Sequence, residues 1–399
     1  MTTTTPTPEP PSSTRERSTA TATVPFWRNV RVLAWTFQLV VLALVIVVLS
    51  VLFNNVRINS QNQGIPTGFD FLDQPTSFTI PANDLRDTQP VRDAIVEGTL
   101  NTLRVSIVGI ILATVLGVLV GIGRLSGNWL VRNLARVYVE ALRNIPLLGL
   151  VVFAYLAIVL TLPRVDESIQ AGNVLIINTR GASIPWPDGT NLLLVGLLVL
   201  AGIAGWLVRR WRLGLSERTG EPSRVVAWVT PVVLLVLFWG AVLAGVGVTS
   251  PSIDGPRVTG GMTLQPEYFA LLMALVTYTA SHIAEIVRGS IQAVPRGQGE
   301  AAKAMALTGV QQMRHVVLPQ AFRIAIPPMA NQYLNLMKNS SLGFVISYFE
   351  LTKVVSTTIG NRSPAIPAYL VLILIYLVLS LIISLIMNTA NRRLELPSR

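Results

Sequence analysis

The sequence predicts an all-α, polytopic integral membrane protein with about eight transmembrane helices, on three observations. Only 13% of its 399 residues are charged and 51% are hydrophobic, against about 25% charged in an average soluble domain. Long apolar runs recur: residues 32–53 (VLAWTFQLVVLALVIVVLSVLF) carry no charge at all, and about 20 such residues cross a bilayer. The basic residues also favour alternate connecting segments, the bias that orients membrane proteins.

Residues 1–24, rich in Thr, Pro and Ser, cannot bury a core and are expected to form a disordered tail. Run 32–53 is too long for the apolar part of a cleaved leader and is expected to remain as an extra first span. An external polar loop with at most short structure should follow to residue 94. Further spans are expected at 99–123, 145–163, 190–208, 225–248, 266–288, 324–349 and 367–389. The pair at 190–208 and 225–248 reads as an insertion within about 164–261, bordered by external segments rich in Gly, Pro, Asp and Asn. Pro327-Pro328 should break or kink the seventh span at its start. With the N-terminus inside, 21 of the 31 basic residues fall on cytoplasmic segments. That places both termini, and the segment between the sixth and seventh spans, in the cytoplasm.

The net charge of +11 does not point to nucleic acid, because the basic residues are spread along the chain and not clustered on one soluble surface. The absence of cysteine removes disulfides, thiol catalysis and cysteine-ligated metals. A metal site built on histidine would need both His282 and His315, which lie on opposite sides of a span boundary, so no metal is expected. None of the three lysines, Lys303, Lys338 and Lys353, follows a glycine, so no phosphate loop is present. No G-x-S-x-G, H-E-x-x-H or paired carboxylates appear where a site could form. The chain is not expected to be an enzyme, and if ATP drives it another chain must bind the nucleotide.

Between the sixth and seventh spans lies EAAKAMALTGVQQMRHVVLP, residues 300–319. It is too polar to cross a membrane, and Ala301, Ala302, Ala304 and Ala306 favour helix while adding little bulk. Such a short, smooth helix suits a groove on a partner. A carboxylate at Glu300, expected in the first turn, would favour the helix dipole. Gly309 is expected at the position just past the helix end.

Glu300-Ala301-Ala302, Val316 and Leu318-Pro319 resemble the EAA loop of permease subunits of binding-protein-dependent ABC importers, with the family's glycine position taken by Ala306 and its isoleucine by Val316. The resemblance covers about 95–163 and 262–392. It extends to VYVEALRNIPLL (137–148), to Glu285, Arg288, Gly289, Gly297 and Gln298, and to Asn331, Gln332, Lys338, Ser340, Ser341 and Leu342, which look like the polar amino acid branch. The extra first span and the inserted pair look like the longer subunits of general L-amino-acid or glutamate/aspartate systems. The resemblance implies an ABC transmembrane type-1 core at 95–392 and a coupling loop at 296–319 that meets the ATPase through Gly297, Glu300, Ala301, Ala302, Ala306, Gly309, Leu318 and Pro319. It also implies ATPase subunits carrying ATP and magnesium, a second permease subunit, an extracytoplasmic amino acid-binding protein, and a plasma membrane location. This chain itself would hold no cofactor.

Polar groups inside spans are costly and face the protein interior or a water-filled path. Asn331, Asn335 and Asn339 recur at every fourth residue and share a helix face, with Lys338 beside it. They, Ser341 and Arg104 are candidates for a substrate path, the amides and ammonium meeting the charged ends of an amino acid. Interhelical hydrogen bonding and snorkelling are the competing roles. Glu285 and Arg288, three residues apart, are expected to form an ion pair with a structural or gating role. His282, one turn earlier, is expected to be a hydrogen-bonded residue of the bundle. A secondary transporter or channel would use the same polar residues without needing a docking helix.

Overall fold

The computed structural model describes residues 30–80, 86–172, 174–187, 248–255, 257–361 and 363–394. The tail 1–24 and the expected inserted spans 190–208 and 225–248 lie outside the described residues. The chain divides into two compact units at Thr67–Gly68. The first is essentially one helix, α1 (Val30–Asn62), whose large apolar side chains are exposed along its length.

The second unit holds α2 (Val91–Gly123), α3 (Trp129–Asn144), α4 (Leu147–Phe153, continued by a π turn to Val159), α5 (Pro266–Gln292), α6 (Arg296–Ala304), α7 (Gly309–Gln312), α8 (Leu318–Asn339), α9 (Leu351–Gly360) and α10 (Ala365–Leu394). Among the described residues α1, α2, α5 and α10 are each long and apolar enough to cross a membrane. Two bent pairs bring the number to as many as six: α3 with α4 at 103°, and the run 309–346 with α9 at 44°. Isoleucines and leucines stand exposed along α2 and α10, as expected of surfaces that lipid covers.

Helices α2 and α5 form the centre and run parallel: Gly109 meets Leu272, Gly117 meets Ala280 and Ile283, and Gly121 meets Ala284 and Val287. Ala325, Met329 and Leu336 of α8 join this core. Helix α3 is pinned to the middle of α5 by Tyr138, whose hydroxyl donates to the Thr277 carbonyl at 2.7 Å. The chain then breaks at Ile145-Pro146, and Tyr155 beyond α4 donates to Glu267 at the start of α5, at 3.2 Å. A second core lies around the start of α2. Phe71 and Ile80, from the loop expected to be polar, pack there with Val91, Leu351, Val354 and Ala368.

The described residues are mostly helical, as expected, with one departure. The segments flanking residues 188–247 carry short antiparallel strands: β1 (Ile169–Ala171), β2 (Leu175–Asn178), β3 (Gly181–Ile184), β4 (Trp186–Pro187), β5 (Val248–Thr249), β6 (Ser252–Asp254), β7 (Arg257–Thr259) and β8 (Met262–Leu264). The sheet order is β1-β2-β3-β8, with Ile177 opposite Ala182 and Ala182 opposite Leu264, while β4 pairs β5 and β6 pairs β7. Branched and apolar residues such as those of LIIN and RVT, set between Gly, Asn and Asp turns, fit a half-buried pleat. Pairing β3 with β8 and β4 with β5 brings the chain on either side of residues 188–247 together beside the N-terminus of α5.

The prolines 327 and 328 lie inside α8 and do not end it. Each forfeits one helical donor, but burial of Ala325 and Met329 holds the segment helical. The span changes direction later, where a 3-10 stretch (Ser340–Ile346) ends at Ser347 with φ 64°.

Candidate functional site

The polar segment between α5 and α8 folds as a helix, a tight turn and a second, short helix at the C-terminal end of α5. Pro295 precedes α6, so that helix begins at Arg296. Glu300 therefore stands one turn further in than expected, exposed beside Ala301, Lys303 and Ala304. Ala302 is not part of the outward surface expected for it: it is 3% exposed and packed within the loop. The outward apolar residues are Met305 and Val310, 76% and 78% exposed.

The turn after α6 shows why the family pattern asks for glycine at position 306. The Leu307 N–H donates to the Ala302 carbonyl at 3.1 Å, and the Ala306 N–H to the Lys303 carbonyl at 2.9 Å. This pair of bonds is the Schellman closure of a helix, whose final residue adopts a left-handed conformation. Here that residue is Ala306, at φ 57°. Gly309 was expected to fill this role and does not. It opens α7 behind Thr308, whose side chain and that of Gln311 cap each other's backbone N–H groups. The turn keeps its place because the bond pattern, set by the length of α6, outweighs about 1 kcal/mol of strain at one alanine. Ala306→Gly is expected to stabilise the loop by about 1 kcal/mol, slowing amide exchange in 300–312 about fivefold. Faster exchange in that variant would contradict the assignment. Gly297 is exposed in α6. Leu318 and Pro319 begin α8 after a π stretch (Met313–Val317), Pro319 standing in the first turn, where no helical donor is needed.

Directly above the loop the carboxylate of Glu285 accepts from Arg288, as expected, and also from Arg124 at the end of α2. Arg288 in turn donates to Gln292 at 2.5 Å. Sequence reading missed Arg124 as a partner, since a contact between residues 161 positions apart leaves no local pattern. His282 packs against Tyr278 with ring centroids 4.7 Å apart and planes tilted by 56°, and its buried Nε2 has no hydrogen-bond partner among the described residues, contrary to the hydrogen bond expected for it.

Of the substrate-path candidates, the structure brings Lys338 and Ser341 together. They line a cavity of about 530 Å³ with Thr352, Leu372, Ile373, Tyr376, Leu377 and Ser380. Asn331 and Asn335 are exposed on α8 and Asn339 is half-buried, none of them lining that cavity. Arg104 stands apart from it on α2, donating to Asn101 at 2.8 Å and lying 4.0 Å from Glu97. Behind the cavity lies Glu350, which is fully buried. It accepts from the N–H groups of Thr352 and Lys353 at 2.8 Å each and from the Tyr376 hydroxyl at 3.0 Å. It thereby caps α9 and ties it to α10. Sequence reading missed it, because glutamate is not among the preferred capping residues and the seventh span had been expected to end at 349.

Several helices long and apolar enough to cross a membrane, with a polar helical segment between α5 and α8, define a multi-pass membrane protein. Residues 201–396 match the family described as the binding-protein-dependent transport system inner membrane component. The chain is 37% identical over 93% of its length, and 96% of the relative's, to a putative amino-acid ABC transporter permease protein, YhdX, of Escherichia coli (strain K12). It is 39% identical over 87% of its length, and 88% of the relative's, to the general L-amino acid transport system permease protein AapQ of Rhizobium johnstonii. It is 35% identical over 91% of its length, and 94% of the relative's, to the glutamate/glutamine/aspartate/asparagine transport system permease protein BztB of Rhodobacter capsulatus. The chain belongs to the family of inner membrane components of binding-protein-dependent transport systems. Membership favours the ATP-driven reading over a stand-alone secondary transporter and makes the chain a transport subunit, not an enzyme.

Proposed function

We propose that this chain is the membrane-spanning permease subunit of an importer that moves polar L-amino acids across a bacterial plasma membrane, with both termini cytoplasmic. The observation that carries the reading is similarity over most of the chain to permeases so named. ATP and magnesium sit on separate ATPase subunits. A second permease subunit completes the path, and an extracytoplasmic binding protein delivers the substrate. ATPase closure presses on α6, and the Arg124–Glu285–Arg288 cluster passes the movement to α2 and α5 together, opening the cavity outward. Hydrolysis releases the helices to face inward.

Met305 and Val310 are the apolar anchors of the ATPase contact, with Glu300 at its edge. The test is co-purification of the tagged chain in mild detergent. An ATPase subunit is expected at comparable stoichiometry, and Met305→Asp should weaken its retention about tenfold, as for an exposed interface anchor. Wild-type retention and uptake by a chain lacking 300–309 would sink the reading.

The cavity beside Lys338 is the proposed contact for the substrate carboxylate. Lys338→Met, which keeps the stem and removes the charge, should raise the KM for uptake about tenfold, a loss typical of one charge-assisted hydrogen bond. An unchanged KM with altered protein level would make Lys338 a structural residue only.

A further inference from the structure

The β-structure flanking residues 188–247 carries a feature the transport reading does not use. Two adjoining clefts share Arg180. One, of about 480 Å³, is lined by Arg164, Val165, Asp166, Thr179, Arg180 and Gly255. The other, of about 380 Å³, is lined by Arg180, Arg257, Val258, Thr263 and Gln265. Arg164, Arg180 and Arg257 are all exposed. Among the described residues none of their guanidinium groups makes an ion pair or a hydrogen bond, although Asp166, Glu167 and Asp254 are near in sequence. Each exposed guanidinium group carries five N–H donors.

The backbone beneath them is fixed. Asn178 accepts from the Arg180 N–H at 2.8 Å and donates to Ser168 at 3.0 Å, and the Thr179 N–H donates to the Pro163 carbonyl at 3.0 Å. These bonds hold the turn of Arg180 against the segment bearing Arg164. Arg257 stands opposite Asp254 where the β6–β7 hairpin turns. The sheet adjoins the N-terminus of α5, whereas the coupling loop follows its C-terminus 27 residues later, about 40 Å along the helix. If the loop is cytoplasmic, the arginines are outside.

We propose that Arg164, Arg180 and Arg257 form an electrostatic docking surface for an acidic face of the extracytoplasmic binding protein. The inference rests on the importer role proposed above. Exposed, hydrated guanidinium groups hold a small solute weakly, but several on one face draw in a large partner of opposite charge and fix its orientation. Basic clefts at the outer end of the bundle therefore fit a macromolecular face better than a free amino acid.

The test uses the whole transporter in nanodiscs and the soluble binding protein that stimulates wild-type ATP hydrolysis. Replacing the three arginines together by serine should raise the half-stimulating concentration of that protein about tenfold at unchanged maximal rate. Raising salt from about 50 to 300 mM should weaken the wild-type response and leave the serine variant nearly flat. Replacing the three by lysine should restore most of the response, which a merely structural role would not predict. An unchanged half-stimulating concentration in the serine variant, with wild-type stimulated normally, overturns the docking surface alone. A raised substrate KM at saturating binding protein would assign the clefts to solute. A changed response only when anionic lipid is varied would assign them to headgroups. Either outcome overturns the proposal. A wild-type complex that no binding protein stimulates removes the importer reading and this inference together.

Discussion

Replacing Glu285 by alanine is expected to cut uptake at least about tenfold and to lower the melting temperature of the purified chain by several degrees. Glu285 holds Arg124 and Arg288 at once, and the three side chains are only 27%, 14% and 28% exposed. Arg143 of α3 also acts on the same carboxylate. Removing it leaves three cations near one another with reduced access to water. Breaking a buried ion pair in this one-sided way costs about 3–5 kcal/mol, and the residual exposure here reduces that to about 2 kcal/mol. Glu285→Gln should fall between, because it keeps an acceptor and loses the charge. The exchange Arg124→Glu with Glu285→Arg should recover part of the lost stability, since it rebuilds the contact between α2 and α5. Wild-type melting and uptake in Glu285→Ala would show that the cluster carries neither stability nor coupling.

The membrane class and the polar helical loop between α5 and α8 were legible for a physical reason. Hydrocarbon demands long apolar runs, and a polar segment must lie outside them, so Glu300 and its alanines stand out against their surroundings. The Glu285–Arg288 pair was legible because a spacing of three places both on one helix face. Arg124 was not, because nothing local ties the end of α2 to α5. The turn at Ala306 was misplaced for a related reason: residue preference pointed to Gly309, whereas the closing hydrogen bonds follow from where α6 begins, and Pro295 sets that. Asn331 and Asn335 share the helical face their spacing predicts, yet only Lys338 and Ser341 reach the cavity, whose other wall comes from α9 and α10. The strands on either side of residues 188–247 were missed because runs of three or four residues carry too short an alternation to read.

Gly117→Leu is expected to have the largest effect of any single change, because it strikes the contact on which the rest of the bundle is built. Along α2 the residues Gly109, Ala113, Gly117 and Gly121 recur every fourth position and are all buried. A Cβ at Gly117 would lie 2.6 Å from the Ile283 Cβ and 2.9 Å from the Ala280 carbonyl oxygen; one at Gly121 would lie 2.8 Å from the Ala284 carbonyl oxygen. These obstacles are backbone and branched carbon, not the ends of flexible chains, so the helices themselves must separate. In a membrane such close approach is a main source of helix association, because lipid offers no hydrophobic drive between helices. Overpacking costs about 1–3 kcal/mol in ordinary cores, and a leucine here should reach about 3 kcal/mol or abolish the folded chain. Gly117→Ala should cost about 1 kcal/mol, and pairing it with Ile283→Ala should relieve part of the clash. Thermal unfolding in detergent measures both. The milder variant also separates coupling from folding: α5 leads directly into α6, so loosening α2 from α5 should let ATP hydrolysis continue while uptake falls. Gly117→Leu melting like wild type would mean that α2 and α5 do not pack as closely as this geometry requires.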